Sequence, residues 1–485
     1  MKTARSVLRG GRDCKESPLP DTVETGQCRW REGGCIATFF LRTHLPYSGT
    51  EDEMETKLGR IADKSAHETR PIFTSLYHLL NEDLLLKCHQ ELSGNKAVGI
   101  DRVTKEEYAL HLRENIQSLV QRLKNKSYKP QPVKRVYIPK ANGKKRPLGI
   151  AAYEEKIVQL GLKKILEAVY EPKFKENMYG FRPNRNCHMA IKDMCTSVIR
   201  KRIDYIVDAD IKGFFDHMNH EWVLKFVGYY IQDPNILNLI NKYLKAGILE
   251  EGEYKASEEG SIQGGIISPV LANIYMHHVL VLWYKAYFEK RGRGQSFLVV
   301  YADDFIAGFE EESEAVRYYQ ALKERLSKYG LEIEPSKSRL LEFGRYAKER
   351  RKRKGLGKSE TFDFLGFTFY CGETLGGKFC VIPRTNSKKF RMKLKEMNQW
   401  LKDHRILPLK ELIPKLNQKL VGHYRYYGVT YNIQMLVKYH YYVVKMLFKW
   451  LNRRSHKGSY TWEQFHMMQT HYPIAYPKRY VNLYE

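Results

Sequence analysis

Two hydrophobic spacings alternate along this chain, and each predicts its own kind of element. Apolar side chains recur every three or four residues in several stretches, which is the spacing of a helix with one buried face. These stretches are 54–65, 74–92, 103–126, 154–174, 267–288 and 313–330. Asp101 and Thr104 precede or open the third stretch, and both residue types favour helix N-termini. The tail from about residue 385 is also predicted to be mainly helical.

Apolar runs rich in β-branched and aromatic residues predict the strands. Three such runs are YIVDADIKGFF (205–215), FLVVYADDFIAGF (297–309) and DFLGFTFY (363–370). In 133–150, two apolar runs flank Asn142-Gly143, a pair that favours a β-hairpin. The chain is therefore predicted to mix helices and strands, and no internal repeat is evident.

Charge then narrows the choice of partner. The 485 residues hold 82 Lys and Arg against 55 Asp and Glu, a net charge of +27. Self-repulsion of this size is usually offset by a polyanion, so nucleic acid is the first candidate and an anionic membrane surface the second. Residues 381–485 carry 20 Lys and Arg against 5 Asp and Glu, and 12 of the 34 tyrosines. The basic excess is therefore concentrated in the tail.

Other features exclude several classes of protein. No apolar run is long enough for a membrane span, and the first residues lack the apolar core of a secretory signal. The eight cysteines form no C-x2-C pair, so we expect reduced, mostly buried thiols and a cytoplasmic location. Residues 1–53 show little periodicity and are expected to form a poorly ordered extension. Met54 opens the recognisable pattern and is a candidate start of translation.

Carboxylates interrupt two of the predicted strands. Asp303 and Asp304 divide one apolar run, and Asp208 and Asp210 lie near the end of another. Side by side, two such strands would form a carboxylate cluster able to hold two Mg2+ ions for phosphoryl transfer. Neighbouring strand residues point to opposite faces, so Asp303 and Asp304 can share a site only at a tight turn. A solvated hairpin tip is the alternative that these residues alone favour.

A family resemblance changes that balance. Seven ordered blocks between about 74 and 370 resemble a reverse transcriptase: IPKANGKKRPLGI, MYGFRPNRNCHMAI, YIVDADIKGFFDHMNH, GSIQGGIISPVLANIYM, FLVVYADDF, YGLEIEPSKS and DFLGFTFY. GFRPNRNCHMAI and QGGIISPVLANIY resemble the group II intron-encoded branch, and LVGHYRYYGVTYN (420–432) is similar to its maturase region. The resemblance implies an α+β fold of the right-hand polymerase type. Fingers and a palm with an antiparallel sheet would occupy 54–380, and a helical thumb/maturase domain 381–485.

The resemblance also assigns the metal site. Asp210, Asp303 and Asp304 match the carboxylates that bind two Mg2+ ions, with Asp304 the more peripheral. Asp208 and Asp216 would serve turns or outer contacts. Phe215 matches the aromatic gate that excludes a 2′-OH and so selects dNTPs, and a core phenylalanine is the alternative.

Further residues are assigned to the nucleotide and the template. By resemblance Lys140, Arg146, Gln263 and Lys337 face the nucleotide, although an exposed loop lysine is the alternative for Lys337. The family often has Pro before the glutamine where this chain has Ile262. Arg182 and Arg185 would contact the template or stabilise the fingers, and Arg425 would bind RNA.

Two basic or glycine-rich stretches need separate interpretation. GLGKS (355–359) resembles the end of a phosphate-binding loop, but Lys352 stands where that pattern needs glycine. The preceding run KERRKRK (348–354) is interpreted as an insertion that touches a nucleic-acid backbone, with an unbound surface loop as the alternative.

The tail and the resemblance together define the function hypotheses. Basic charge grips phosphates and tyrosines can stack on bases, although about two-thirds of these tyrosines are expected in the core. We therefore expect a Mg2+-dependent RNA-directed DNA polymerase that also acts as a maturase on a group II intron RNA. Its partners would be template and intron RNA, a DNA primer or target and dNTPs, with no membrane and no endonuclease domain. The alternatives are a maturase whose RNA-binding role dominates, or a domesticated enzyme of repair or phage defence.

Overall fold

The computed structural model describes residues 51–139, 145–250, 252–256, 259–260, 264–454 and 459–484, with the side chains of 51–53 and 139 left out. Its strands are β1 Val133–Pro139, β2 Lys145–Ile150, β3 Tyr205–Ala209, β4 Ile248–Glu250, β5 Glu253–Lys255, β6 Ser296–Tyr301, β7 Asp304–Phe309, β8 Arg339–Glu342, β9 Phe362–Phe364, β10 Phe367–Glu373 and β11 Phe379–Thr385. The extension predicted for 1–53 therefore lies almost wholly outside the described residues.

The helices of the described residues precede, separate and follow these strands. They are α1 Glu51–His67, α2 Glu82–Glu91, α3 Lys105–Ala109, α4 Leu112–Lys124, α5 Tyr153–Tyr170, α6 Cys187–Arg200, α7 His220–Val227, α8 Pro234–Leu244, α9 Ser268–Met276, α10 Leu282–Tyr284, α11 Glu312–Lys328, α12 Ala347–Arg353, α13 Ser387–His404, α14 Leu409–Tyr427, α15 Ile433–Leu451 and α16 Trp462–His471. Two π-helical turns, His277–Val281 and Lys285–Glu289, make α9 and α10 parts of one longer helix.

The central sheet has the strand order β6-β7-β3-β8 and is antiparallel throughout. Because successive strand residues point to opposite faces, its two faces supply two different cores. Val207, Phe305 and Ala307 belong to the first core, with residues of α5, α9 and α11. Ile206 and Ile306 belong to the second core, with residues of α6, β9–β11 and the tail helices. The sheet is thus held on both sides.

A second sheet, of order β2-β1-β4-β5, carries the predicted hairpin. Strands β1 and β2 pair antiparallel from Lys134 opposite Ile150 to Pro139 opposite Lys145, which confirms the pairing predicted around Asn142-Gly143. The connecting residues 140–144 lie outside the described part of the chain.

The tail is helical, as predicted, and it shares a core with the palm. Helix α14 packs on β10 through Tyr426 and Tyr427, whose rings contact Phe367, and buried residues of α13–α16 join the second core. Strand β11 runs across the domain boundary proposed at 380/381, which stays a proposal. The chain returns at Val481, which pairs with Val429, and Leu483 is fully buried.

Local predictions were corrected at three places. The run 363–370 is not one strand but the β9–β10 hairpin, whose turn residues Leu365 and Gly366 both have positive φ. In 74–92 the α-helix begins after Asn81, whose side chain accepts from the Leu84 amide. Thr104 caps α3 as predicted, whereas Asp101 instead accepts from the backbone amide of Tyr153.

The architecture is α+β with an antiparallel palm-like sheet and a helical tail, which confirms the predicted fold class. Within the described residues, every helix is too short or too polar to cross a membrane.

Candidate active site

The two acids that divide the apolar run sit on a tight β-hairpin. Strands β6 and β7 pair up to Tyr301 opposite Asp304, which leaves Ala302 and Asp303 as a two-residue turn. Ala302 has a φ of +58°. Residues other than glycine rarely adopt this backbone conformation, which costs about 1–3 kcal/mol. The tight turn predicted for this pair is confirmed, and the fold tolerates backbone strain to present Asp303 at its tip.

The segment 177–180 supports this hairpin from the edge of the sheet. The Tyr179 amide donates to the Val300 carbonyl at 2.8 Å, and the Val300 amide donates to the Asn177 carbonyl at 2.9 Å. Gly180 then passes so close to the turn that an added Cβ would lie 2.3 Å from the Ala302 nitrogen. The buried side chain of Asn273 donates to the Gly180 carbonyl at 2.8 Å and holds that approach.

The second carboxylate strand ends beside the same hairpin. Ala209 of β3 pairs with Phe305 of β7, so the next residue, Asp210, comes opposite Asp304 at the end of the ladder. The loop after α11 fixes the Asp210 backbone. Its Ser338 hydroxyl accepts from the Asp210 amide at 3.1 Å, and the Glu334 amide donates to the Asp210 carbonyl at 2.8 Å. Three acids from two strands therefore meet at one end of the sheet.

Electrostatics couple these acids to each other. Burial among protein atoms, followed by repulsion from Asp303, Asp210 and Asp208, raises the pKa of Asp304 to about 7, although its side chain still reaches solvent. Burial is also the main cause that raises the pKa of Asp303, and Asp210 adds to it. Clustered acids whose charged forms are penalised in this way are stabilised by a bound proton or by a nearby cation.

Cations of the chain supply part of this stabilisation. Lys337 forms an ion pair with Asp210, and both Lys337 and Arg146 act to lower the pKa of Asp303. With Asp210 turned towards Lys337, no group of three acidic, histidine or cysteine side chains in the described residues is arranged to hold an ion. The donor set is nevertheless one that hard divalent cations prefer, carboxylate oxygens in mutual repulsion. The residues therefore fit a divalent metal once Asp210 turns from Lys337.

Neutralising Asp304 should change stability in a pH-dependent way. The pKa of Asp304 is about 7 in the folded protein, above the ordinary value of 3.8 that it has when unfolded. Between pH 3.8 and 7 the native state therefore binds more protons than the unfolded state. The free energy of unfolding falls as pH rises through this range. In EDTA we expect the Tm advantage of Asp304→Asn over wild type to grow from pH 4 to about 7 and then level off. Differential scanning fluorimetry across this range measures it.

Two comparisons keep that measurement specific. Asp83→Asn, at an exposed position in the first turn of α2, should show no such growth. Mg2+ added at pH 8 should shrink the advantage of Asp304→Asn. An advantage that stays constant with pH would contradict the proposed repulsion.

The nucleotide-side predictions have mixed positions. Arg146 is exposed on β2 and acts electrostatically on Asp303, so it faces the acids. Lys337 contacts Asp210 directly. Phe215 is half-buried, in a short helical turn edge-on to Phe214. Lys140 and Gln263 lie outside the described residues. Gly264, next to Gln263, has a φ of +107°, and a Cβ added there would lie 2.6 Å from the Gly149 carbonyl oxygen.

The arginines predicted to contact the template differ from one another. Arg182 is buried, pairs with Glu171 at 2.8 Å and donates to the carbonyls of Lys175 and Met178, so its geometry fits the stabilising role rather than template contact. Arg185 is half-buried with its guanidinium 5.6 Å from the Tyr179 ring centre. Arg425 is exposed on α14. Outside this group, Asp208 pairs with Arg339 at 3.6 Å.

Sequence reasoning missed the residues that support the hairpin. Gly180 and Asn273 lie within recognised blocks, but neither was assigned a role. The glycine before FRPNRN, Gly180, was the one feature of the sequence that could have indicated this contact, since two backbone segments that approach closely often require glycine.

Comparisons with known proteins agree with the order of these parts. A reverse transcriptase (RNA-dependent DNA polymerase) family model matches residues 138–369, and a group II intron, maturase-specific domain model matches 387–467. Group II intron-encoded protein LtrA of Lactococcus lactis subsp. cremoris is 39% identical over 237 residues, which are 48% of this chain and 39% of LtrA.

Two further relatives extend the comparison. An uncharacterized 91 kDa protein in the cob intron of Schizosaccharomyces pombe is 34% identical over 256 residues, or 51% of this chain and 31% of that protein. Protein YkfC of Escherichia coli is 34% identical over 255 residues, or 46% of this chain and 67% of YkfC. The chain thus spans about two-fifths of LtrA. Because the reverse transcriptase family model and, after it, the maturase-specific domain model both match, the chain belongs to the group II intron-encoded reverse transcriptase/maturase family.

Proposed function

We propose that the protein is an RNA-directed DNA polymerase that extends a DNA primer on an RNA template with dNTPs. The observation that carries this proposal is the meeting of Asp210, Asp303 and Asp304 at one end of the palm sheet. Members of the reverse transcriptase family use divalent metal ions. We propose Mg2+, and two ions, for this chain because carboxylate oxygens are the ligands it offers there.

The proposed mechanism gives one role to the carboxylates of the site and another to its cationic side chains. Asp210 and Asp303 would ligate both ions, and Asp304 would contribute from a more peripheral position. When bound, Mg2+ supplies Lewis-acid stabilisation to the attacking and leaving oxygens of the phosphoryl transfer. Arg146 would grip triphosphate oxygens through two parallel hydrogen bonds. Lys337 would leave its ion pair with Asp210 and pair with the triphosphate, since its ammonium group can bind either anion. Lys140 and Gln263 would complete the nucleotide site.

Phe215 is proposed to select the sugar. A flat ring beneath the incoming ribose leaves no room for a 2′-OH. We expect Phe215→Val to raise the efficiency of rNTP incorporation relative to dNTP by at least about tenfold, because the lost clash is worth on the order of 1–3 kcal/mol. Single-nucleotide extension with matched dNTP and rNTP measures kcat/KM for each.

A control variant tests whether the effect is local. Tyr254→Val, at an exposed β5 position, should leave the ratio unchanged. If Phe215→Val lost dNTP and rNTP incorporation equally, Phe215 would be a core residue, as its contact with Phe214 also allows.

We further propose that residues 381–485 bind RNA and assist splicing of a group II intron. Helix α15 supports this proposal, because its exposed side combines lysines with aromatic residues. Lys445 lies 4.5 Å from the Tyr441 ring centre, and Tyr442 is exposed beside it. Cations bind phosphates and exposed rings stack on bases. Arg425 on α14 and the half-buried Arg185 would extend the contacts to RNA.

One assay tests the polymerase proposal directly. Purified protein with Mg2+, an RNA template and a DNA primer should extend the primer, and EDTA should stop it. Failure to extend over a range of salt and Mg2+ concentrations would overturn the polymerase proposal. Such a failure with retained splicing would favour the second candidate, a maturase whose RNA-binding role dominates.

The remaining alternative concerns biological setting. Intron RNA domains flanking the gene would favour a mobile intron enzyme, and their absence a domesticated enzyme of repair or phage defence. In either case we propose action in the cytoplasm, where RNA templates are available.

A further inference from the structure

Among the helices of the described residues the most basic is α12, which lies at the end of the palm sheet opposite the carboxylates. It follows β8, whose Glu342 pairs with Tyr205 at the start of β3, whereas Asp210 follows the other end of β3. Five to six strand residues at about 3.3 Å each separate the two ends by roughly 20 Å. A ligand of α12 therefore contacts the protein at a place about 20 Å from the carboxylates.

Apart from Lys348, which pairs with Glu373 at 3.8 Å, the cations of α12 and of the residues flanking it fall into two sets. The inner set ties the helix to the protein: Arg350 pairs with Asp204 at 2.8 Å, Arg351 with Glu360 at 3.2 Å, and Lys354 with Glu342. Their charge is used inside the fold. These pairs connect the short helix to Asp204 before β3, to Glu342 of β8 and to Glu360.

The cations of the outer set do not take part in ion pairs of this kind. Arg345, Lys352, Arg353 and Lys358 are exposed, and in the described part of the chain none of them has an acid within ion-pair distance. Glu349 is the one acid of the helix. The whole segment 345–358 contains no other acid, so its four exposed unpaired cations attract anions.

A neighbouring corner of the fold enlarges this surface. Residues 203–204 abut Gly344, since a Cβ added there would lie 2.0 Å from the Ile203 carbonyl oxygen. Arg200 and Arg202 are exposed beside this contact. We name the combined surface the distal basic patch: Arg200, Arg202, Arg345, Lys352, Arg353 and Lys358. Exposed Tyr346 adds an aromatic ring next to Arg345.

We propose that the distal basic patch binds the phosphate backbone of a double-helical RNA segment, separately from the template–primer at the carboxylates. The choice of RNA rests on the proposed function, because a maturase must hold a folded RNA while its polymerase cleft stays free. Exposed cations on two neighbouring elements can contact successive phosphates of one nucleic-acid backbone. Duplex RNA is recognised through phosphates and 2′-OH groups rather than through base edges.

The test removes three charges that make no internal contact. Lys352→Gln, Arg353→Gln and Lys358→Gln together should weaken binding of a blunt 20-base-pair RNA duplex by at least about tenfold at 0.15 M salt. The slope of log K against log salt should become shallower by about 2 to 3. Primer extension at saturating template should stay within about twofold of wild type, because the patch lies far from the acids.

A matched control removes the same charge elsewhere. Arg113→Gln, Lys124→Gln and Lys129→Gln, at exposed positions on or just after α4, should change duplex affinity by less than about threefold. Equal losses in both triple variants would overturn the proposal, since net charge alone would then explain the binding.

Two further ligands separate the sources of anion. Wild-type protein should bind the RNA duplex at least as tightly as a DNA duplex of the same sequence, and a patch-dependent preference for DNA would overturn the assignment to RNA. Loss of binding to phosphatidylserine vesicles with unchanged RNA binding would overturn it in favour of a membrane surface. Failure of wild-type primer extension, with patch-dependent duplex binding intact, would overturn the proposed polymerase function and leave this proposal standing.

Discussion

Asp303→Ala should lower primer extension on an RNA template by about a thousandfold or more. Asp303 occupies the tip of a strained turn and is proposed to ligate both metal ions, so its loss removes several kcal/mol of transition-state stabilisation, at 1.36 kcal/mol per tenfold. Single-turnover extension at saturating Mg2+ and dNTP measures the chemical step. RNA affinity should change by less than about threefold, because the proposed RNA contacts come from cations elsewhere on the chain.

Graded variants distinguish a metal ligand from a folding defect. Asp304→Ala should lose less activity than Asp303→Ala, since Asp304 is proposed to be peripheral. Asp83→Ala, on the exposed start of α2, should extend primers like wild type. If Asp303→Ala retained more than about a tenth of wild-type extension while folded, the proposed metal site would be wrong.

The same variant separates the two proposed activities. Splicing of the cognate intron is proposed to need RNA binding by residues 381–485, which supply none of the three carboxylates. We therefore expect Asp303→Ala to splice nearly as well as wild type. Parallel loss of splicing would mean that the carboxylates also position the intron RNA.

The tight turn at Asp303 and Asp304 could be predicted because its signal is local, whereas the metal-binding role proposed for them came from the family resemblance. Asp303 and Asp304 break an apolar run, and polar residues within buried strands need a reason. The hairpin pairing around Asn142-Gly143 was equally accessible, since turn chemistry is carried by adjacent residues. The right-hand arrangement itself came from the resemblance of ordered blocks, because periodicity alone does not choose which strands are neighbours.

The supporting contacts could not be predicted because their signal is distant. Arg182 and Arg425 look alike in sequence, yet one is buried against Glu171 and two carbonyls while the other is exposed. The turn at Leu365-Gly366 was missed because two strands and a tight turn fit within eight apolar residues. Asp101 was expected to act as a cap but accepts from Tyr153, 52 residues along the chain.

Ala302 illustrates how local preference yields to the rest of the fold. Alanine has no preference for positive φ, so the turn at Ala302 could not be predicted from its residue type. The buried strands β6 and β7 on either side impose that turn, since their pairing leaves two residues to reverse the chain. Gly180 meets this turn from a segment over a hundred residues earlier, and that meeting leads to the second prediction.

Gly180→Ala should abolish most primer extension, by about a hundredfold or more, although it lies outside the metal ligands. The new methyl group would lie 2.3 Å from the Ala302 nitrogen and 2.9 Å from the Tyr301 carbonyl carbon, both backbone atoms that cannot rotate away. Relief requires the hairpin to shift, and a displacement of about 1 Å at the reacting groups can cost on the order of 10²-fold. Single-turnover extension measures the loss.

A stability measurement must accompany that rate, because overpacking usually costs about 1–3 kcal/mol of folding free energy. Gly357→Ala is the matched control, since nothing lies within 4 Å of its added Cβ. At a temperature where both variants are folded by circular dichroism, Gly180→Ala should also show a smaller Tm increase on adding Mg2+, while RNA duplex affinity stays near wild type. Wild-type extension by folded Gly180→Ala would show that Asp303 does not depend on this contact for its position. Loss of extension with an unchanged Mg2+ response would instead locate the damage in template binding, because the ligands themselves would then be undisturbed.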